Sequence, residues 1–188
     1  MAEPKRFAPA KLVCGIIFRE NSRYETAKAR LVETFGTIDH ESPDFPFDLT
    51  DYYAPEMGTE LKRKFVSFRK LVAPQRLAGI KLRTNAMEAE LGRGRGGRRR
   101  VNVDPGILTG AALFMATAKD FSHRVPLRRG VFAHLELLFT RTGVKFLDWT
   151  YPDLRRPGPL RFLRDVRTDY LEQVRKGKRK ARPPAAVR

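Results

Sequence analysis

The stretch Val101–Leu127, VNVDPGILTGAALFMATAKDFSHRVPL, is the part of the chain on which the predicted fold and site depend most. It begins with a short alternating strand, after which Asp104-Pro105-Gly106 predicts a turn. The most apolar segment of the second half of the chain follows and ends in a dense polar cluster, Lys119–Arg124. A polar cluster directly after an apolar strand is typical of a site mounted on a sheet. We therefore expect this cluster to form one wall of a site.

Hydrophobic periodicity predicts the remaining elements. The apolar run Leu12–Phe18 predicts a strand buried on both faces, and therefore a central one. Outside the opening stretch, the predicted strands are 12–18, 43–50, 65–72, 131–139 and 144–147, and the predicted helices are 22–35, 74–91 and 160–174. This order predicts an α+β fold, with a mixed, largely antiparallel sheet and helices packed on it. The specific expectation is a ferredoxin-like βαββαβ core followed by a C-terminal hairpin and helix.

Length and composition predict one domain. A chain of 188 residues with an apolar fraction of 41% can form a single core. We expect a flexible N-terminus at 1–10, one α+β domain at 11–175 with a basic Gly/Arg loop at 92–100, and a disordered basic tail at 176–188. The single cysteine, Cys14, excludes a disulfide framework within the chain. No apolar run approaches the roughly 20 residues of a membrane span, so we expect a cytoplasmic protein without a membrane partner.

The net charge of +17 favours an anionic partner such as a nucleotide or RNA. The charge is uneven: residues 1–60 carry −4, 61–100 carry +11, 101–153 carry +1 and 154–188 carry +9. The alternative is that general arginine enrichment and a basic tail produce most of the excess. The segment Gly92–Gly97 fits G-x-G-x-x-G, but it follows a helix and precedes a strand, which argues strongly against a dinucleotide fingerprint. Its backbone amides and arginines could still contact phosphates, although a solvated loop is the simpler interpretation.

The polar cluster after the apolar segment supplies the candidate catalytic residues. His123 titrates near neutral pH and can act as a general acid or base, with Asp120 orienting it and Asp104 as a further proton or metal partner. Lys119 and Arg124 can hold an anionic group. The alternative is a turn at a strand end whose charges are solvated.

A second cluster is acidic. Asp48, Asp51 and Glu56 can bind a hard divalent cation, the one cofactor that the sequence suggests. The alternative is an acidic loop that pairs with the basic run Lys62–Lys64.

Three tyrosines offer ring faces to a ligand. Tyr52 and Tyr53 lie within the acidic cluster, and Tyr151 belongs to an aromatic turn that can stack on a base or cap the core. His134 and Glu136, two apart in a predicted strand, can pair or ligate, although a half-exposed sheet face is the simpler interpretation.

Four strings in this order resemble a bacterial family called domain of unknown function 4416. They are PFDLTDYYAPEMG (46–58), VNVDPGILT (101–109), TAKDFSHRVPL (117–127) and DWTYPDLR (148–155). The resemblance extends over about residues 11–174 and implies a single small α+β domain of the bacterial cytoplasm with no established activity. Members sometimes carry a loose GTP-binding description. The candidate residues of the two polar clusters and the three tyrosines lie inside these strings, whereas His134 and Glu136 do not.

Three functions fit these observations. The first is a domain that binds a phosphate-bearing ligand, a nucleotide or an RNA end, at an Asp/His/Lys/Arg site. The second is a non-enzymatic, RNA- or ribosome-associated basic module that uses residues 62–100 and the tail. The third is a structural or adaptor protein whose polar clusters serve folding alone.

Overall fold

The computed structural model describes residues 1, 3–92 and 99–180, the last three of them by their backbone alone. Within this part of the chain, nine strands form one sheet and four α-helices accompany it. The strands are β1 (Lys11–Phe18), β2 (Ile38–Glu41), β3 (Phe45–Pro46), β4 (Lys62–Phe68), β5 (Val101–Leu108), β6 (Ala112–Thr117), β7 (Val125–Arg128), β8 (Val131–Phe139) and β9 (Val144–Phe146). The helices are α1 (Asn21–Phe35), α2 (Ala54–Met57), α3 (Leu77–Glu90) and α4 (Pro157–Lys180), and 3-10 turns occupy Pro74–Arg76 and Pro152–Arg155.

The sheet has the order β2-β4-β1-β5-β6-β8-β7, with β3 on β4 and β9 on β8. Strand β1 lies in its interior, and all eight of its residues are buried, which confirms the central strand predicted from its apolar run. The path β1-α1-β2-β4-α3-β5 gives the order β2-β4-β1-β5, the arrangement of a ferredoxin-like βαββαβ core. The predicted α+β class is therefore confirmed, and the strand pairs in the described part of the chain are antiparallel.

Helices cover both faces of the sheet. One face packs against α1 and α3, through residues such as Phe18, Tyr24 and Met87. The other face packs against α4, whose Phe162 and Val166 lie in the second core cluster. Helix α4 continues to Lys180, so it includes the start of the segment predicted as a disordered tail, while residues 181–188 lie outside the described residues.

The predicted turn at Asp104-Pro105-Gly106 is wrong, because all three residues lie inside β5 opposite β1. Pro105 is tolerated because β6 pairs with β5 only from Gly106 onward, so the ladder on that side begins after the proline. Gly106 is required by close packing, since a Cβ there would lie 2.7 Å from the carbonyl oxygen of Phe114. Pro105 therefore marks the start of the β5–β6 ladder, and Gly106 marks a close contact between these two strands.

The sequence prediction missed β2, α2 and β7, and it misplaced the strand at 43–50. Of the strand predicted at 43–50, only Phe45–Pro46 forms a strand, β3, which pairs with β4, and the Phe47 N–H donates to the Leu61 carbonyl just beyond it. Strand β7 was not predicted as a separate element because its four residues are exposed and carry no alternating pattern.

Candidate functional site

The sheet opens between β5 and β6. These strands pair only over Gly106–Leu108 and Leu113–Met115, so the start of β5 and the end of β6 diverge. A cavity of about 780 Å³ occupies the resulting gap. Its walls come from β5, β6, α3, the segment that carries α2, and the turn after β9. A volume of this size is within the range of small-molecule sites, about 300–1,000 Å³.

Side chains of α3 replace the missing strand partner along β5. Glu88 accepts a hydrogen bond from the Val103 backbone N–H at 2.8 Å, and Lys81 donates to the Val103 carbonyl at 3.0 Å. Because a buried backbone group without a partner is costly, these two contacts stabilise the open edge. They also place one carboxylate and one ammonium group in the cavity wall.

Asp104 is the central anion of the cavity floor. Its carboxylate accepts from Asn102 Nδ2 at 2.8 Å and from Lys81 Nζ at 3.5 Å, and Arg63 Nη2 lies 3.8 Å away. Burial acts to raise the pKa of Asp104, but Lys81 and Arg63 outweigh burial and hold this pKa below its usual value. The side chain is therefore a fixed negative charge.

Arg63 lies across Gly15 on the neighbouring strand β1. A Cβ at Gly15 would lie 2.6 Å from Arg63 Nη2 and 2.8 Å from Nε, so only glycine leaves room for the guanidinium group. Arg63 is 3% exposed, donates from Nη1 to Asp153 Oδ2 at 2.6 Å, and packs beside the rings of Phe47 and Phe65. Its buried Nε and Nη2 have no hydrogen-bond partner among the described residues. Because both atoms are buried, they become available as donors to a ligand or water only when the Arg63 side chain shifts.

Arg99 connects three walls of the cavity. Its Nη1 donates to Asn102 Oδ1 at 2.6 Å and lies 3.3 Å from Glu88 Oε2, while its Nε donates to Glu56 Oε1 at 3.2 Å. Glu88 is 9% exposed, and burial, only partly offset by Lys81 and Arg99, raises its pKa to about 7. Glu88 therefore exchanges a proton near neutral pH.

Aromatic side chains and one lysine form the mouth of the cavity. The Lys119 ammonium lies 3.4 Å from the centroid of the Tyr52 ring and 5.9 Å from that of Tyr53. The two tyrosine rings meet edge to face at 4.9 Å, and Tyr53 also packs on Phe47. Burial, followed by the nearby Asp104 charge, raises the pKa of Tyr151 to about 12, so its hydroxyl stays protonated in the cavity wall.

The cavity brings together part of the predicted site. Six of the residues predicted from the sequence line it: Tyr52, Tyr53, Glu56, Asp104, Lys119 and Tyr151. Five others do not line it: Asp48, Asp51, Asp120, His123 and Arg124. Of the stretch Lys119–Arg124, which was expected to form one wall of a site, Lys119 alone lines this cavity.

His123 lies beside the cavity, in an aromatic stack. Its ring is parallel to Trp149 with centroids 4.7 Å apart, and it lies 5.5 Å from His134. Burial, followed by repulsion from Arg124, lowers the pKa of His123. Arg124 donates to the Lys119 carbonyl at 2.8 Å, and Asp120 is exposed. These contacts shape the loop that holds Lys119.

The acidic residues are divided between partners. Asp48 pairs with Arg156 at 2.6 Å and, together with Asp51, lines a second, smaller cavity, whereas Glu56 pairs with Arg99. The nearby Asp44 pairs with both Lys62 and Lys64. In the described residues, no group of three or more His, Cys, Asp or Glu side chains is placed to hold a metal ion.

His134 and Glu136 are buried, in contrast to the half-exposed face expected from the sequence. They are 1% and 0% exposed, and His134 Nε2 lies 2.5 Å from Glu136 Oε2. The turn after β9 covers them, because Trp149 Nε1 donates to the Leu135 carbonyl and the Tyr151 backbone N–H donates to Glu136 Oε1. This pair supports the cavity wall from behind Tyr151.

Sequence reasoning missed seven charged or amide residues of the cavity: Arg63, Lys81, Asn85, Glu88, Arg99, Asn102 and Asp153. A signal existed on α3, where Lys81, Asn85 and Glu88 recur at helical spacing on one face. No local signal distinguished Arg63 within the basic run Lys62–Lys64.

Comparison with protein families matches residues 8–170 to the model described as Domain of unknown function (DUF4416). No curated protein and no solved structure matches the chain. Among the described residues, no helix combines the length and apolar character needed to cross a membrane.

Proposed function

The chain belongs to the domain of unknown function 4416 family, and we propose that its cavity binds a small phosphate-bearing ligand, with a nucleotide as the favoured class. One observation carries this proposal. Lys119, which has no carboxylate within 4.0 Å in the described structure, and the two unpartnered N–H groups of Arg63 border the same cavity as three tyrosines. A phosphate needs donors, and a base needs aromatic faces.

The aromatic wall supports a flat heterocycle. Tyr52 is 60% exposed and presents its ring at the mouth, while Tyr53 and Tyr151 lie deeper. Stacking of a base on an aromatic side chain is worth about 1–3 kcal/mol and tolerates different bases. The arrangement therefore favours the nucleotide class without selecting one base.

The balance of charges in the cavity favours a ligand anion that contacts few of the cavity cations. Arg63, Lys81 and Arg99 are opposed by Glu56, Glu88, Asp104 and Asp153. A ligand with several phosphates would have to compete with all four carboxylates. A single phosphate that binds Lys119 at the mouth avoids most of that competition.

An RNA- or ribosome-associated surface is the alternative proposal. The basic block 62–100 has ten described cations. Half of them pair with carboxylates: Lys62, Arg63, Lys64, Lys81 and Arg99. Residues 93–98 and 181–188, which this alternative also uses, lie outside the described residues. We therefore rank the cavity above the basic surface.

A thermal-shift screen tests the proposal on the full chain. The probes are nucleoside 5′-monophosphates, the corresponding nucleosides, inorganic phosphate, divalent metal ions and a short single-stranded RNA. A monophosphate at about 100 times its dissociation constant should stabilise the protein by roughly 2.7 kcal/mol, a rise in Tm of about 5–10 °C. The nucleoside alone should shift Tm less. Stabilisation by RNA alone, lost steeply with added salt, would favour the alternative, and no shift with any nucleotide would contradict the proposal.

A further inference from the structure

Inside the mouth formed by Lys119, Arg99 is the most exposed of the three cavity cations Arg63, Lys81 and Arg99. Its side chain is 33% exposed, whereas those of Arg63 and Lys81 are 3% and 7% exposed. Arg63 is held by Asp153, and Lys81 is held by the Val103 carbonyl and Asp104. Arg99 instead divides its N–H groups between Glu56 on one wall and Glu88 on another. It can therefore exchange one partner without leaving the cavity.

Resting on the proposed function, we propose that Arg99 binds the dianionic group of the ligand in place of Glu88, and that the released Glu88 carboxylate takes up a proton from solvent. The step is balanced: one carboxylate and one proton give one carboxylic acid, and Arg99 remains charged throughout. The ligand class is thereby narrowed to a terminal phosphate monoester, because its second negative charge, which a carboxylate or a phosphodiester lacks, favours it over Glu88 as the partner of Arg99.

The surroundings of Glu88 support proton uptake. The groups that face it are Lys81 on its own helix, Arg99 before β5, and Asp104 and the Val103 N–H on β5. Lys81 and Arg99 favour the charged carboxylate, whereas burial and Asp104 oppose it. When Arg99 turns to a ligand, Glu88 loses one of the two cations that favour its charged form, and the negative charge of the ligand arrives nearby. Both changes raise the pKa of Glu88 above about 7.

When Glu88 is protonated, its side chain keeps a hydrogen-bond partner in the cavity wall. The Val103 N–H, which donates to Glu88 Oε1, can continue to donate to the carbonyl oxygen of the protonated acid. The open edge of β5 therefore stays satisfied in both protonation states. This allows Glu88 to change its charge without unfolding the wall.

Isothermal titration calorimetry tests the inference with sodium sulfate and adenosine 5′-monophosphate as probes. Sulfate stays a dianion across neutral pH, so any proton taken up on its binding comes to the protein. Titrations in buffers of different ionisation enthalpy at pH 6, 7 and 8 give the number of protons bound. We expect uptake of roughly half a proton at pH 7, more at pH 8 and little at pH 6, because Glu88 titrates near pH 7.

Variants separate the outcomes. Glu88→Gln should bind both probes without this uptake, and Glu90→Gln, its control on the same helix, should behave as wild type. Arg99→Met should weaken binding at least about tenfold, while Arg100→Met, its neighbour outside the cavity lining, should not.

Binding without proton uptake, uptake that persists in Glu88→Gln, or unchanged affinity in Arg99→Met would overturn the inference and leave the proposed function standing. Failure of both probes to bind would overturn the proposed function together with the inference.

Discussion

The Lys119 ammonium lies 3.4 Å from the centroid of the Tyr52 ring, and this contact joins the loop after β6 to the segment before α2 across the mouth of the cavity. The two residues come from strings that are far apart in the chain, at 117–127 and 46–58. A cation on a ring face is attracted by about 0.5–1 kcal/mol at an exposed site. The contact is weak enough for a ligand phosphate to replace it.

Lys119→Met should reduce binding of a nucleoside monophosphate by about tenfold, because a charge-assisted hydrogen bond to phosphate is lost. Stability should change by less than about 0.5 kcal/mol, since Lys119 is exposed. Calorimetric affinity and urea unfolding measure the two effects. Lys145→Met, on exposed β9, is the matched control and should leave affinity unchanged. Equal losses in both variants would show that general positive charge, and not the mouth of the cavity, attracts the ligand.

Gly15→Ala should destabilise the protein by about 1–3 kcal/mol, because the new Cβ would lie 2.6 Å from Arg63 Nη2 and the buried guanidinium group has no space to move. Gly79→Ala in α3 is the control. Its Cβ meets only the end of the Arg128 side chain, and alanine favours a helix by about 1 kcal/mol. Urea unfolding of both variants checks the prediction, which fails if Gly15→Ala is as stable as wild type.

Asp153→Asn should cost about 3 kcal/mol, because it leaves the Arg63 guanidinium group buried without its closest carboxylate. Adding Arg63→Met to this variant should restore part of the loss, which a double-mutant cycle measures. Asp148→Asn, on the exposed part of the same turn, should have little effect. Strict additivity of the Arg63 and Asp153 changes would refute a coupled pair.

The pH dependence of stability should include a contribution from Glu88. Burial raises its folded-state pKa from 4.5 to about 7, so the folded state holds more protons than the unfolded state between these values. The free energy of unfolding must therefore fall as pH rises through this window, by roughly 3 kcal/mol, and level off above it. Urea unfolding at pH 5 and pH 8 should show this fall in wild type and in Glu90→Gln, and a smaller fall in Glu88→Gln. Parallel pH profiles for all three proteins would disprove the contribution.

The sequence predicted the parts of the fold that depend on local pattern. The unbroken apolar run Leu12–Phe18 indicated a central strand, and the periodic stripes of α1, α3 and α4 indicated the helices. The turn predicted at Asp104-Pro105-Gly106 is wrong because proline and glycine occur in strands as well as in turns. Here Pro105 lies just before the point where β5 begins to pair with β6, and Gly106 allows β6 to approach closely.

The candidate site could be predicted only in part, because its cause is not local. The cavity exists because β5 and β6 pair over three residues and then diverge, and no single stretch of sequence encodes that divergence. Tyr52 and Lys119 could be found because they stand out in polar loops. Arg63 could not, because a buried arginine and its two partly exposed lysine neighbours look alike in the run Lys62–Lys64. Glu88 lies on a helix face that is predicted to be solvent-exposed from the sequence. In the structure, β5 lies beside this face and covers it.

Mapping the binding site by amide chemical shifts during titration with adenosine 5′-monophosphate tests the central claim most directly. We expect the largest changes at backbone amides around the cavity, including those of Tyr53, Asp104 and Lys119, with saturation at a single affinity. Changes confined to exposed basic residues outside the cavity, such as Arg128 and Arg161, or no changes at millimolar ligand, would contradict a ligand site between β5 and β6.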